Sequence, residues 1–226
     1  MKTTKRFLIY PLVLIGLVLI LSSCKKKEEA TSAKITDKDG NDYTSVTIGT
    51  QVWMVENLKT TKLNDGTALV NAIDVTSWLN LSTNPGYCWY NYDEATYKTL
   101  YGALYNWYAV GTGKLCPTGW HVPDNSEWLV LENFLGGTNN AGGKLKETGT
   151  THWQSPNTGA TNEYGFTALP GGFRYDWGSA FWPIGISGWW WSATEPSAWD
   201  LSSGNTELGA SILPEKAGAS VRCLKN

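Results

Sequence analysis

Two helical patterns stand between strand-like text on either side, and that order constrains the fold more than any single motif. In residues 94–110, Tyr97, Leu100, Tyr101, Leu104, Trp107 and Tyr108 recur at i, i+3, i+4 and i+7 spacing. This predicts a helix with an aromatic stripe turned toward the core. In "CPTGWHVPDNSEWLVLENFLGG" a turn and a short extended piece lead into a second helix. Asp124 is placed to cap it, and Glu127, three residues on, to return a bond to the cap amide. Trp128, Leu131 and Leu135 would face inward, and Gly136-Gly137 would end the helix. Upstream, "ITDKDGNDYTSVTIGTQVWMVENLKTTKLNDGTAL" alternates short β-rich runs with turns. Asp39-Gly40 and Asp65-Gly66 are hairpin signals, and Val46, Ile48, Val52 and Met54 have strand spacing. Downstream, a stretch of Gly, Thr, Asn and Ser gives way to "GFTALPGGFR", "GWWWSAT", "AWDLSS" and "ASVRCLK". Strands, two helices and strands again, without regular βα alternation, predict one α+β domain over residues 35–226, its helices beside a mainly antiparallel sheet.

The N-terminus has a separate logic. Lys2, Lys5 and Arg6 precede residues 7–21, which carry no charge, and this is the order of a secretory signal. A helix crossing a bilayer needs about 20 apolar residues, so a permanent span is the weaker reading. The run closes on Leu21-Ser22-Ser23-Cys24, which resembles a bacterial lipobox. Removal of residues 1–23 would leave Cys24 as a lipidated N-terminus, held by roughly 0.8 kcal/mol per buried methylene. An uncleaved anchor helix and an ordinary secretion signal are the alternatives. Residues 24–34, with Lys25-Lys26-Lys27-Glu28-Glu29, cannot pack a core and read as a flexible charged tether. A charged stretch behind the cysteine resembles surface-export signals of some Gram-negative lipoproteins. The expected location is therefore the bacterial outer membrane, anchored by lipid and facing outward, with the periplasmic face as the alternative.

Charge and cysteine usage narrow the partners. The net charge is −2 and becomes more negative without the three basic residues of the signal, so a basic nucleic-acid footprint is absent. Thirteen Trp, 11 Tyr and 24 Gly suit a loop-rich extracellular domain better than a helical bundle. Cys88, Cys116 and Cys223 remain beside Cys24, and an oxidising compartment favours one disulfide and one leftover thiol, with three pairings open. Cys116 with Cys223 is the favoured pair, because it closes a long loop onto the last strand. Cys88 would then be a buried small hydrophobe. No CxxC pair occurs, so zinc is not expected. The acids of "DKDGND" lack a calcium loop's twelfth-position glutamate, where Ile48 stands, and a plain turn is expected.

The segments "SVTIGTQVWMVENLKT", "YGALYNWYAV", "CPTGWHVPDNSEW", "GGKLKETGTTHW", "GFTALPGGFR", "GWWWSATE" and "SVRCLKN" together resemble the Fibrobacter succinogenes major paralogous domain family, over roughly residues 35–226. That resemblance implies an exported protein or lipoprotein of a Gram-negative bacterium and assigns no reaction. More distantly, "GWHVPDNSEW" and the closing "SVRC" are similar to motifs of the formylglycine-generating, sulfatase-modifying family. Both resemblances imply a C-type lectin-like fold, with two helices, a twisted sheet and the last strand pairing near the first. The formylglycine-generating family uses a copper site of two cysteines near the C-terminus; this chain offers only Cys223 there, so that chemistry is not expected.

Other catalytic constellations are equally thin. The chain has two histidines, His121 in the extended "GWHVP" and His152 in the loop text "TGTTHWQSP", and neither completes a metal triad by spacing. No GxSxG elbow occurs. Glu163, Asp176 and Glu195 lie near aromatic loops, and a glycosidase needs two carboxylates facing across a bond, so a hydrolase using Glu163 and Glu195 is the alternative function. The leading expectation is a noncatalytic domain without cofactor that binds a glycan or protein ligand. In "GGFRYDWGSAFWPIGISGWWWSATE", Tyr175, Trp177 and Trp182 sit in glycine-rich loop context and are the ligand-binding candidates, with Asp176 and Glu195 as polar partners. Trp189 and Trp191 should point to one side of a strand and Trp190 to the other, as core. A purely structural or adhesive envelope lipoprotein is the third reading.

Overall fold

The text "DKDGND" folds as a turn. A computed structural model describes Met1, residues 34–178 and residues 180–226. Residues 2–33, with the expected signal segment, Cys24 and nearly all of the tether, lie outside the described part. The strands β1 (Ile35–Thr36) and β2 (Asp42–Tyr43) pair antiparallel around the turn. The Asp37 carboxylate accepts from the Asp39 and Asn41 amides at 2.9 Å, the Asn41 side chain at 2.8 Å and the Tyr43 hydroxyl at 2.6 Å. Four donors on one carboxylate make it the organiser of the turn.

The next hairpin joins β3 (Ser45–Ile48) to β4 (Gln51–Met54). Further along come β5 (Val70–Asn71), a short helix α1 (Val75–Leu79) and β6 (Gly86–Cys88), with β5 and β6 parallel. The helix predicted over residues 94–110 is in fact two helices. Helix α2 (Glu94–Tyr101) stops at Gly102, where φ is +72°; β7 (Leu104–Tyr105) follows, then a four-residue α3 (Trp107–Val110). A Cβ at residue 102 would lie 2.6 Å from the Leu58 carbonyl, and the Ala103 amide donates to that same oxygen at 3.0 Å. Tertiary backbone contact therefore outcompetes the continuous helix that the apolar spacing suggested. Leu100, assigned to the aromatic stripe, is 40% exposed as a result.

After β8 (Trp120–His121) the second predicted helix forms as α4 (Asn125–Phe134). Its capping box is complete: the Glu127 amide donates to the Asp124 carboxylate and the Asp124 amide to Glu127, both at 2.9 Å. Trp128, Leu131 and Leu135 are buried, and Gly136 and Gly137 take positive φ values just beyond. A helix absent from the sequence reading follows, α5 (Thr138–Leu145), in text that reads as loop. Its Gly142 meets the Glu207 carbonyl so closely that a Cβ would lie 2.1 Å from it. The glycines that lower helix propensity are what let this helix dock.

The remaining strands are β9 (Phe173–Arg174) and β10 (Phe181–Trp182), which pair as a hairpin, and the antiparallel meander β11 (Ser187–Trp191), β12 (Ser197–Ser202) and β13 (Leu208–Ile212). Finally β14 (Leu224–Lys225) inserts between β4 and β8, giving the order β3-β4-β14-β8. The architecture is α+β, with helices beside several small, mostly antiparallel sheets.

Two large apolar clusters flank β11. Trp190 joins Trp53, Trp128, Trp153 and Trp199 in one; Trp191, with Trp189 packed at its margin, joins Tyr105, Val221 and the cysteines in the other. The alternation expected for the triple-tryptophan run is therefore present. Cys116 and Cys223 form the favoured disulfide, across 107 residues, and Cys88 is a buried free thiol. Buried cations tie separate segments together, Arg222 and Lys146 among them. Arg222, 1% exposed, donates to the Asn57 side-chain oxygen at 3.0 Å and to the Phe166 carbonyl, and lies 4.1 Å from the Phe166 ring centroid. Lys146, fully buried, donates to the carbonyls of Thr158, Ser202 and Asn205 at 2.7–2.9 Å. Among the described residues, no helix is long and apolar enough to cross a membrane.

Candidate functional site: an aromatic hairpin

The β9–β10 hairpin carries the ligand-binding candidates, and a buried arginine shapes it. Arg174 is fully buried, stacked 4.7 Å from the Trp78 ring centroid, with its Nε donating to the Tyr92 hydroxyl at 3.1 Å. Its two terminal nitrogens donate to the Tyr175 and Gly178 carbonyls, the second at 2.9 Å. A planar guanidinium with several donors can hold two loop carbonyls at once. Gly178, at φ +60°, supplies the left-handed residue the loop needs.

On that support the rings form a connected surface. Trp182 stacks on Phe173 at 5.9 Å and 16°, Phe173 meets Tyr175 at 4.7 Å and Trp189 at 5.0 Å, and Tyr175 meets Trp177 at 5.2 Å. Trp177 is 62% exposed, while Tyr175 and Trp182 are half-buried. The Trp182 indole N–H is buried and lacks a hydrogen-bond partner among the described residues. Trp89 and Trp128 share that lack in the core, at 2% and 1% exposure, whereas Trp182 borders solvent. The exposed Trp177 ring, backed by Tyr175, is the part of this surface that a ligand can reach.

The polar partners differ from the expectation. Asp176 is half-buried within the loop, but Glu195 stands elsewhere, exposed at φ +52° in the turn between β11 and β12. That turn packs on the start of α4, where the Ala193 amide donates to the Pro123 carbonyl and the Asn125 amide to the Thr194 hydroxyl. Asp200, which the sequence reading passed over, is better placed. It pairs with Trp189 in the β11–β12 ladder, so both side chains share a face, and across from it Gly209 leaves room for its carboxylate. Burial, and secondarily the nearby Glu207, push the Asp200 carboxyl up to about 6. Its position depends on strand register, which "GWWWSATEPSAWDLSS" does not disclose without the turn geometry.

The groups weighed for catalysis do not converge. His121 contacts Asn226 Oδ1 through Nδ1 at 2.7 Å and the Glu127 carboxylate through Nε2 at 2.9 Å, so one ring nitrogen holds β8 to the residue after β14 and the other to the α4 cap. It borders a cavity of about 300 Å³ whose floor includes Val110, Leu115 and Val122. His152 contacts the Glu147 carboxylate at 2.8 Å and meets the edge of Tyr101. Glu163 faces Lys144 at 3.5 Å, and both side chains are partly exposed. Among the described residues, no group of three His, Cys, Asp or Glu side chains is arranged to hold a metal ion.

The profile of the Fibrobacter succinogenes major domain matches residues 46–225. The chain belongs to this family. The match runs from β3 to β14 and so includes both disulfide cysteines and the whole aromatic hairpin, leaving β1 and β2 as an N-terminal addition. No curated protein and no solved structure matches the chain. In this family member, then, the domain's own geometry carries the functional reading.

Proposed function

We propose that this family member is a noncatalytic protein, anchored by lipid at Cys24 to the bacterial outer membrane, whose C-type lectin-like domain binds a glycan or protein ligand through Tyr175, Trp177 and Trp182. The lectin-like assignment draws on β14 pairing between β4 and β8, on helices α2 and α4, and on the long loops between α5 and β11. The anchor draws on the Leu21-Ser22-Ser23-Cys24 sequence behind an uncharged run. One observation supports the binding reading most: an exposed Trp177 held against Tyr175, which in turn meets the half-buried Trp182. Flat aromatic bodies of this kind give contact area at low entropic cost. Asp200 takes the polar role first given to Glu195, because it shares a face with Trp189. The alternative is a hydrolase using Glu163 and Glu195, of which Glu163 faces Lys144 and Glu195 lies in the β11–β12 turn.

The test is a glycan array together with capture of envelope proteins, run with the wild-type chain and with Trp177→Ala and Trp182→Ala. Retained signal of equal strength in both variants rejects the hairpin as the binding surface. Separately, metabolic palmitate label should appear in the wild type and vanish in Cys24→Ser.

A further inference from the structure

A second concave surface lies apart from the aromatic hairpin, between the β1–β2 turn and the segment that enters β8. It is an open cleft of about 490 Å³, in the size range of small-ligand sites. Its charge is unusual for this chain. Acids outnumber Lys and Arg by 20 to 18 overall, yet Lys34, Lys38 and Lys225 all line the cleft. The carboxylate among the lining residues is Asp37, and four donors of its own turn already occupy it. Lys34 pairs with Asp42 at 2.8 Å, whereas Lys38 and Lys225 have no carboxylate partner among the described residues.

The wall of the cleft suits a ring. Trp120 is half-buried there, and its indole N–H has no acceptor among the described residues. The hydroxyls of Ser45 and Thr118, also lining the cleft, likewise have no protein partner among those residues. A cationic rim focuses potential toward an anion, and an aromatic wall with free hydroxyl and indole donors matches a polyol with an apolar face.

We propose that this cleft binds an anionic sugar of one or two rings, whose carboxylate or phosphate is met by Lys38 and Lys225 and whose ring packs against Trp120. This site stands independently of the aromatic hairpin, with which it shares no residue.

The experiment is calorimetric titration of the detergent-solubilised full chain with glucuronate, glucose 6-phosphate and uncharged glucose, at low and at physiological salt. Both acids should bind, glucose at least about tenfold more weakly, and added salt should weaken the acids alone. Comparing the two acids tells a carboxylate from a phosphate preference. The Lys38→Gln/Lys225→Gln variant, altered only at exposed positions, should keep the wild-type melting temperature and lose about tenfold or more in acid affinity. Trp177→Ala should leave acid binding unchanged, which separates this cleft from the hairpin. Glucose binding as tightly as the acids, no heat from either acid at millimolar concentration, or acid affinity unchanged in the double lysine variant would each overturn the proposal.

Discussion

Trp190 donates its indole N–H to the side-chain oxygen of Asn57 at 2.8 Å, across 133 positions of chain. The same oxygen accepts from Arg222, and the Asn57 amide donates to the Tyr101 carbonyl at 2.9 Å, so one carboxamide serves the centre of the molecule.

Asn57→Ala should therefore be severe. It strands a buried guanidinium and an indole donor together, a loss of about 3–5 kcal/mol. For a domain of this size that corresponds to a melting temperature lower by on the order of 10 °C. Calorimetry of the purified variant checks this; a drop of only a degree or two would mean that the network contributes little.

Lys146→Met should be nearly as damaging, for the opposite chemical reason. Burial pushes the Lys146 amine down to about 8, which leaves it protonated at neutral pH, and its three protons are matched by three carbonyls. Methionine fills the volume but leaves the carbonyls of Thr158, Ser202 and Asn205 without a donor, at about 3 kcal/mol. Urea unfolding should show a lower midpoint with an unchanged slope.

Asp200 predicts a pH signature. Its folded-state value of about 6 lies above the ordinary 3.8, so the native chain binds more protons than the unfolded chain between about pH 4 and pH 6. Stability from this group is complete below that window and is lost as pH rises through it. Asp200→Asn should match the wild type at pH 4 and exceed it at pH 7.5 by on the order of 1 kcal/mol, after allowance for partial solvent screening. Urea titrations at the two pH values make the comparison, and equal stabilities at pH 7.5 would contradict it.

Reduction of the Cys116–Cys223 bond should lower stability by about 5 kcal/mol, since the bridge closes a loop of 107 positions. Cys88 should stay unalkylated by iodoacetamide until the chain unfolds, because burial raises its thiol far above the ordinary range. Urea unfolding with and without reductant reads the first effect, and peptide mapping before and after denaturation reads the second.

Local chemistry was legible where a few neighbouring residues settle the outcome. The Asp124–Glu127 cap, the Asp37 turn, the alternation of Trp189 to Trp191 and the Cys116–Cys223 pair all follow from residue types at short spacing or from a single long-range choice. Two elements escaped because distant backbone decides them. Gly102 ends a helix that its apolar periodicity would continue, since the chain there bonds to Leu58. Helix α5 forms through Gly142 against the Glu207 carbonyl, in text whose propensity argues for a loop. The site was half legible for the same reason. Tyr175, Trp177 and Trp182 lie within one hairpin and come together, whereas Asp200 is set opposite Trp189 only by a strand register, and Glu195 belongs to another turn.

The placement of β14 between β4 and β8 carries a consequence for biosynthesis. A ribosome delivers residues 51–54 and 120–121 long before residue 224, so the two halves of that sheet must wait apart, unbridged, for their middle member. Any chaperone meeting the nascent polypeptide therefore handles an open edge on each side, and truncation of even the final handful of amino acids should leave a chain that cannot close.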